Sequence, residues 1–146
     1  MNLSNSFTLE ALTFSETAVR RDLDNTPNDE QIANLTELAQ ALERVVLLLN
    51  FPVHISSAYR SPKVNAAVGG SPTSAHMEGY AADFTCSEFG SPLEVCKAIA
   101  QSDIGFDQCI VEGGSWCHLS VDPRMRRETL TARFAGGKAT YAPGLA

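Results

Sequence analysis

Two metal-ligating side chains lie close together in the segment 74–83, Ser-Ala-His-Met-Glu-Gly-Tyr-Ala-Ala-Asp. The imidazole of His76 and the carboxylate of Asp83 are both ordinary Zn²⁺ ligands, and a catalytic zinc site needs three protein ligands with one position left open for water. Gly79 lies between them and can take a positive φ angle, which lets the chain turn back so that both groups face one point. The segment therefore predicts part of a zinc site, whose third ligand must come from elsewhere in the chain.

The third candidate ligand lies in the segment 106–121, in which two strand-like runs flank a Gly-Gly-Ser turn and indicate a β-hairpin. Pairing Glu112 with Trp116 places Ile110 opposite His118, so that Glu112 and His118 share one face of the hairpin. His118 is then the third ligand. Across a diagonal of about 7–8 Å, the Glu112 carboxylate can reach a water molecule at the site without being a ligand itself. The hairpin thus predicts a general base beside the metal.

Two further polar residues are candidates for contact with a substrate. Arg60 follows a predicted strand at 53–59, where its guanidinium can fork onto a carboxylate or polarise a carbonyl; a surface salt bridge is the alternative. Ser74, two positions before His76, is expected to form a hydrogen bond with the substrate through its hydroxyl. His54 lies within the same predicted strand, and we expect it at the surface rather than at the metal.

The four cysteines are Cys86, Cys96, Cys109 and Cys117, and they contain no Cys-x-x-Cys pair. We expect reduced, buried thiols. Cys109 and Cys117 fall on the core face of the predicted hairpin, so Cys117 is interpreted as a small core side chain and not as a zinc ligand, although it precedes His118.

The remaining pattern predicts a scaffold of helices and strands. Thr26 as N-cap and Pro27 at the first helical position predict a long helix that runs to about Leu49 with one apolar stripe. Shorter helices are expected after Ser15, over 62–68 and from Ser91, strands over 80–85, 106–112 and 116–121, and one more strand that ends near Phe134.

Composition limits the class of protein. The chain has 146 residues, of which 44% are apolar and 19% charged, and it shows no repeat or linker, so one domain spanning 1–146 is expected. A net charge of −6 argues against nucleic-acid binding, which needs a basic surface. No apolar run is long enough to span a membrane and the N-terminus lacks a signal-peptide pattern. We therefore expect synthesis in a cytoplasm and no membrane insertion.

Together these residues resemble the D-alanyl-D-alanine carboxypeptidase family of zinc peptidases, including phage endolysin-like members and, more distantly, the hedgehog signalling domain. The resemblance rests on Ser74-x-His-x-x-Gly-x-Ala-x-Asp83, on Tyr59-Arg-Ser-Pro62 with Asn65 and Gly69-Gly70 between these two motifs, and on Trp116-x-His118. It implies an α+β fold with a central antiparallel sheet flanked by helices. It also implies Zn²⁺ on His76, Asp83 and His118.

The resemblance further implies metal-assisted hydrolysis of a peptidoglycan stem peptide. Glu112 lies six positions before the last histidine, where some relatives carry the general base; others have it three positions before, which is Ser115 here. Trp116 replaces a histidine of some members, so stabilisation of the oxyanion falls to Arg60 and the metal. Arg60, Trp116 and Ser74 are the expected substrate-binding residues.

Three questions stay open from the sequence. The scissile bond is either a terminal D-Ala-D-Ala link, cut by a carboxypeptidase, or an internal L-Ala-to-D-amino-acid link, cut by an endopeptidase. Without a signal peptide, a bacteriophage protein would be made in a host cytoplasm and act on the cell wall after release or as part of a virion. The alternative is a catalytically inactive virion structural or binding protein that retains the peptidase fold.

Overall fold

The computed structural model describes residues 1–146, which form five α-helices, one turn of 3₁₀ helix and six β-strands. The helices are α1 (Leu9–Thr13), α2 (Glu16–Arg21), α3 (Asp29–Leu49), α4 (Pro62–Ala67) and α5 (Pro92–Ala100), and the 3₁₀ turn is Ala75–Glu78. The strands are β1 (His54–Ser57), β2 (Ala81–Thr85), β3 (Gln108–Glu112), β4 (Trp116–Ser120), β5 (Glu128–Ala135) and β6 (Lys138–Pro143). None of the helices combines the length and apolar character needed to span a bilayer. The α+β class expected from the sequence is confirmed.

The six strands form one sheet in the order β1-β2-β4-β3-β5-β6. Its first four strands are antiparallel to their neighbours, as the resemblance implied, and so are β5 and β6. β3 and β5, however, pair in parallel. The reason is geometric: β4 runs opposite to β3, and β5 starts from the end of β4 and returns along the free edge of β3, so it must run in the direction of β3.

The sheet has one face that packs into the core and one that carries polar side chains. α5 packs on β3 and β4, and α3 packs against α5. The sheet residues buried against these helices are Ala82, Phe84, Cys109, Val111, Cys117 and Leu119. Because side chains alternate along a strand, Asp83, Glu112 and His118 project from the opposite face. Helix packing on one face therefore leaves the other face free for chemistry.

The long helix α3 begins two residues later than expected. Asn28, not Thr26, is its N-cap: the Asn28 side chain accepts a hydrogen bond from the backbone N–H of Gln31 at 2.8 Å, and the Gln31 side chain accepts one from the backbone N–H of Asn28 at 2.9 Å. The hydroxyl of Thr26 instead donates to Asp24 at 2.6 Å. Prediction of the cap at Thr26 was wrong because the reciprocal pair formed by Asn28 and Gln31 satisfies two free N–H groups at once. The predicted apolar stripe is buried as expected.

The caps at Ser15 and Ser91 are confirmed. The Ser15 hydroxyl accepts from Ala18 N–H at 3.1 Å, and Ser91 forms a reciprocal capping box with Glu94. The strand expected to end near Phe134 is β5. The sequence did not predict β6, although the Gly-Gly pair that joins it to β5 is a hairpin signal.

An ion pair between the buried Asp107 and the partly exposed Arg126 fixes the connection from β4 to β5. Asp107 is almost fully buried, and both its carboxylate oxygens accept hydrogen bonds from the guanidinium of Arg126, at 2.8 and 2.9 Å. These hydrogen bonds hold the pKa of Asp107 below its usual value. By contrast, Arg124 pairs with Asp122 at the surface. The two neighbouring pairs differ mainly in burial.

Replacing Arg126 with alanine is expected to destabilise the protein, because it leaves the buried Asp107 carboxylate without a counter-charge. The matched control Arg124→Ala removes a surface pair and is expected to destabilise the protein much less than Arg126→Ala does. Since the folded pKa of Asp107 is lowered, the contribution is present above its unfolded pKa and is lost as pH falls through the folded pKa. Denaturant unfolding of both variants at neutral and acidic pH tests this, and equal losses would contradict it.

Candidate metal centre

Three metal-ligating side chains converge on the polar face of the sheet. Asp83 of β2 lies directly opposite His118 of β4, and its Oδ1 is 2.9 Å from Nδ1 of His118. The same Oδ1 is 3.2 Å from Nε2 of His76, which the 3₁₀ turn brings in from outside the sheet. The three donor atoms lie within 4.8 Å of one another. The residues that the sequence singled out as ligands are thus brought together.

The 3₁₀ turn that carries His76 is fixed at both ends. The Ser74 hydroxyl caps its start by accepting a hydrogen bond from the backbone N–H of His76 at 3.2 Å. Gly79 ends it with a φ angle of +80°, a left-handed conformation that L side chains rarely adopt. A Cβ added at Gly79 would also lie 2.8 Å from the carbonyl oxygen of Gln31 in α3. Glycine is therefore required here both for the turn and for close approach to the helix.

A hydrogen bond to the backbone fixes the orientation and tautomer of His76. Its Nδ1 lies 2.6 Å from the carbonyl oxygen of Ala58, an acceptor only, so Nδ1 must carry the proton. Burial lowers the pKa of His76 and favours the neutral ring. Its Nε2 then presents a lone pair to the site. Such a bond from the remote ring nitrogen is the usual partner of a metal-ligating histidine.

This tautomer gives a direct test of whether the residues fit a metal ion. The Nε2 lone pair of His76 faces a lone pair of Asp83 Oδ1 at 3.2 Å, and two acceptors in contact repel each other. A cation bound between them turns the repulsion into two favourable contacts. The donor set of two imidazoles and one carboxylate matches the ligands that Zn²⁺ takes in catalytic sites. The residues therefore fit the metal.

The charges of the site favour an ionised carboxylate. Burial alone would raise the pKa of Asp83, but His76 and His118, which are both protonated at the acidic pH where Asp83 titrates, outweigh it and hold the pKa well below its usual value. Burial alone would lower the pKa of His118, but its hydrogen bond with Asp83 outweighs burial and raises the pKa. The pair thus favours a positive charge at His118. A divalent cation supplies that charge and competes with the proton.

Glu112 lies at the end of β3, one step along the sheet from the ligands. The observed register pairs Glu112 with Trp116 and Ile110 with His118, as the sequence predicted. Burial, as the largest cause, raises the pKa of Glu112, and the charge of Asp83 adds to it. A carboxylate with a raised pKa accepts a proton more readily near neutral pH.

Arg60 lies on the other side of the ligands, just after β1. Its backbone N–H donates to the carbonyl oxygen of His76 at 3.1 Å, and its Nη2 donates to the Ser74 hydroxyl at 3.4 Å. Its Nε is buried without a hydrogen-bond partner. None of the chain's ion pairs includes Arg60, so the alternative of a surface salt bridge is wrong. Burial lowers the pKa of its guanidinium, and the charges of Asp83 and Glu112 oppose that effect.

The β5–β6 hairpin flanks the Glu112 side of the site and forms a side wall of aromatic residues there. The sequence predicted β5 but not β6, so this wall was missed. Trp116 stacks on Phe134 of β5 with ring centroids 5.9 Å apart, and its Nε1 is buried without a partner. Glu112, Ala132 and Tyr141 form one row across β3, β5 and β6. Burial raises the pKa of Tyr141, and the charges of Glu112 and Asp83 raise it further. The signal that could have revealed this wall is the Gly-Gly turn between two strand-like runs.

Two other candidates lie away from the site. His54 is exposed on the edge strand β1 and pairs with Thr85, so it is remote from the three donor atoms. Cys117 lies in the core on the opposite face of the sheet, as expected.

Comparison with known families agrees with this geometry. The family model for Peptidase M15 matches residues 5–120, a range that contains all three donor residues, Arg60 and Glu112. The β5–β6 hairpin lies outside the matched range. No curated protein matches the chain.

The purified chain is expected to bind about one Zn²⁺, and His76→Ala or His118→Ala should abolish that binding, because each removes one of three protein ligands. His54→Ala is the matched control and should leave the stoichiometry unchanged. Affinity should fall as pH is lowered, because protonation of His118 competes with the metal. Titration calorimetry at two pH values measures both effects; equal losses in the His54 and His118 variants would contradict the assignment.

Proposed function

The chain belongs to the Peptidase M15 family of zinc peptidases, and from this premise we propose that it hydrolyses an amide bond in the stem peptide of peptidoglycan. The observation that carries the proposal is the convergence of His76, Asp83 and His118 on one point, with Glu112 and Arg60 on either side. The ligand set alone supports only the binding of a metal ion. A carboxylate and a guanidinium beside it are what hydrolysis requires.

The proposed zinc ligands are Nε2 of His76, Oδ1 of Asp83 and Nδ1 of His118. Zn²⁺ held by these residues would supply a Lewis acid for the carbonyl of the scissile bond and a water whose pKa is lowered toward about 7. Two neutral imidazoles and one carboxylate leave such a centre with net positive charge. That charge favours the negative charge which develops on the substrate oxygen in the transition state.

Glu112 is proposed as the general base and, later, the general acid. Its carboxylate accepts a proton from the attacking water and then donates that proton to the leaving amine. Its burial supports this role, because a raised pKa brings the carboxylate closer to the value at which both proton transfers are efficient. Glu112 is the second carboxylate of the site, and it lies outside the group of three donor atoms that are within 4.8 Å of one another.

Arg60 and Ser74 are proposed to hold the substrate carbonyl. The backbone N–H of Arg60 donates to the His76 carbonyl and holds the main chain at the site, and Nη2 of its guanidinium donates to the Ser74 hydroxyl. A positioned cation of this kind stabilises an oxyanion without reorganising during the reaction. Trp116, held by its stack on Phe134, is proposed to offer an apolar surface to the substrate on the Glu112 side.

Peptidoglycan as substrate is supported by the likeness of the Ser74–Asp83 and Trp116–His118 motifs to D-alanyl-D-alanine carboxypeptidases. The scissile bond is proposed to be either the terminal D-Ala-D-Ala link or an internal L-Ala-to-D-amino-acid link. The proposed setting is a bacteriophage lysin, made in the host cytoplasm, that acts on the cell wall after release or within a virion. The alternative is an inactive virion component.

Glu112→Gln is expected to bind zinc like the parent and to lower turnover by about 10²–10⁴-fold, because the amide cannot accept the proton. Glu88→Gln, an exposed carboxylate replaced by the same amide, is the matched control and should retain full activity. Mass spectrometry of digested peptidoglycan measures the rate. Free D-alanine among the products identifies a carboxypeptidase, and separated stem-peptide fragments identify an endopeptidase.

A Glu112→Gln rate close to that of the parent would refute the base assignment. A zinc-loaded parent that releases neither product would refute the hydrolase proposal and favour the inactive virion component.

Arg60→Ala is expected to lower kcat by about 10²-fold or more with zinc still bound, because the oxyanion loses a positioned cation. Lys63→Ala, which removes an exposed cation on α4, should have no effect. Steady-state kinetics on a soluble muropeptide separates kcat from KM. A change confined to KM would show that Arg60 serves binding of the ground state only.

A further inference from the structure

Three of the four thiols meet in the core, on the helix-covered face of the sheet. Cys96 comes from α5, Cys109 from β3 and Cys117 from β4, and all three side chains are fully buried. Their Sγ atoms lie within 4.8 Å of one another. The fourth thiol, Cys86, lies apart and contacts the carbonyl oxygen of Pro52 at 3.3 Å. The sequence placed Cys109 and Cys117 on one face of the hairpin but gave no sign that Cys96, which comes from a helix, lies beside them.

Two of these sulfur atoms are closer than non-bonded atoms normally lie. The Sγ atoms of Cys96 and Cys117 are 2.7 Å apart, whereas those of Cys109 and Cys117 are 3.9 Å apart. Non-bonded carbon atoms rest at about 3.5–4.0 Å, and sulfur is larger than carbon. A disulfide bond is about 2.05 Å long. The first pair is therefore near bonding distance, and the second is in ordinary contact.

We propose that Cys96 and Cys117 are a site of disulfide formation, and that Cys109 remains a thiol beside it. The surroundings favour this product. The cluster lies among apolar side chains such as Phe84, Ile99 and Leu119, where a neutral disulfide costs little and an unpaired charge costs much. The inference rests on the core alone and is independent of the peptidase proposal.

The oxidant is a low-molecular-weight disulfide such as oxidised glutathione, in a mixture more oxidising than a cytoplasm, which acts while the chain folds and before the core closes over the thiols. The thiolate of one cysteine attacks the small disulfide, forms a mixed disulfide and releases one small thiol. The second cysteine attacks the protein sulfur of the mixed disulfide and releases the other small thiol. Two protein thiols are oxidised, one small disulfide is reduced to two thiols, and the two cysteine protons pass to these products.

A metal bound by the three thiols fits the distances less well. A Zn–S bond is about 2.3 Å long, so two sulfur atoms 2.7 Å apart would subtend an angle of only about 70° at the ion, far from tetrahedral. Three thiolates also carry more negative charge than one divalent ion neutralises, and the excess would be buried. The geometry favours the covalent bond.

The cross-link would tie the metal centre to the helix layer. Cys117 immediately precedes His118 on β4, and Cys96 lies on α5, 21 residues earlier in the chain. Closing a loop of this size restricts the unfolded chain, and an increase in Tm on the order of 5–10 °C is expected for a protein of this length. The bond would thus hold the strand that carries His118 against the core.

The test is to unfold and reduce the full chain and refold one half with reduced glutathione alone and the other half in a mixture of reduced and oxidised glutathione. Free thiols are then alkylated in denaturant, and the protein is analysed by intact mass, peptide mapping and metal analysis. The expected result is a drop from four alkylated thiols to two only in the oxidising mixture, with the Cys96 peptide linked to the Cys117 peptide. The oxidised form should also have the higher Tm.

Cysteine variants test which two thiols form the disulfide bond. Cys109→Ala should still lose two thiols on oxidation, and so should Cys86→Ala, whereas Cys96→Ala should lose none. Four free thiols under both conditions would overturn the proposal, as would a cross-link that includes Cys86 or Cys109. Three protected thiols with a retained metal ion would also overturn it and identify a metal site instead. If the Cys96 variant does not fold, the peptide map of the parent chain decides the pairing.

Discussion

The candidate site depends on the hydrogen bond from Nδ1 of His76 to the carbonyl oxygen of Ala58. This bond fixes the proton on the remote ring nitrogen and leaves Nε2 facing Asp83 with a lone pair. Buried lone pairs in contact are costly, and a cation between them removes the cost. Other parts of the fold bring the ligands to this point. Gly79 lets the turn that carries His76 lie against α3, and the register of β2 and β4 places Asp83 beside His118.

The alternation of side chains along β-strands separates stability from chemistry in this protein. In β2, β3 and β4, every second side chain packs beneath α3 and α5. The side chains between them lie on the opposite face and include Asp83, His118 and Glu112. Neighbouring residues such as Cys117 and His118 therefore have unrelated roles. The same alternation lets the thiol cluster lie directly behind the metal centre without contributing to it.

Much of this arrangement could be predicted from the sequence because it follows from local periodicity. The hairpin register was one example, since a short Gly-rich turn and a period of two fix which residues face each other. The capping residue of α3 was mispredicted because Thr26 and Asn28 both suit a cap, and only the contacts of Gln31 and Asp24 decide between them. Three features were not predicted, because each depends on contacts between distant parts of the chain. They are the hydrogen bond to the Ala58 carbonyl, the position of Tyr141 on β6 in the row of Glu112, and the thiol cluster.

X-ray absorption at the zinc edge of the metal-loaded protein tests the central claim most directly. The account predicts a first shell of nitrogen and oxygen only, at about 2.0–2.2 Å, with the outer-shell scattering of two imidazole rings. A sulfur shell at about 2.3 Å would place the metal in the thiol cluster, and a shell without imidazole scattering would place it on surface carboxylates. Either result would contradict the account.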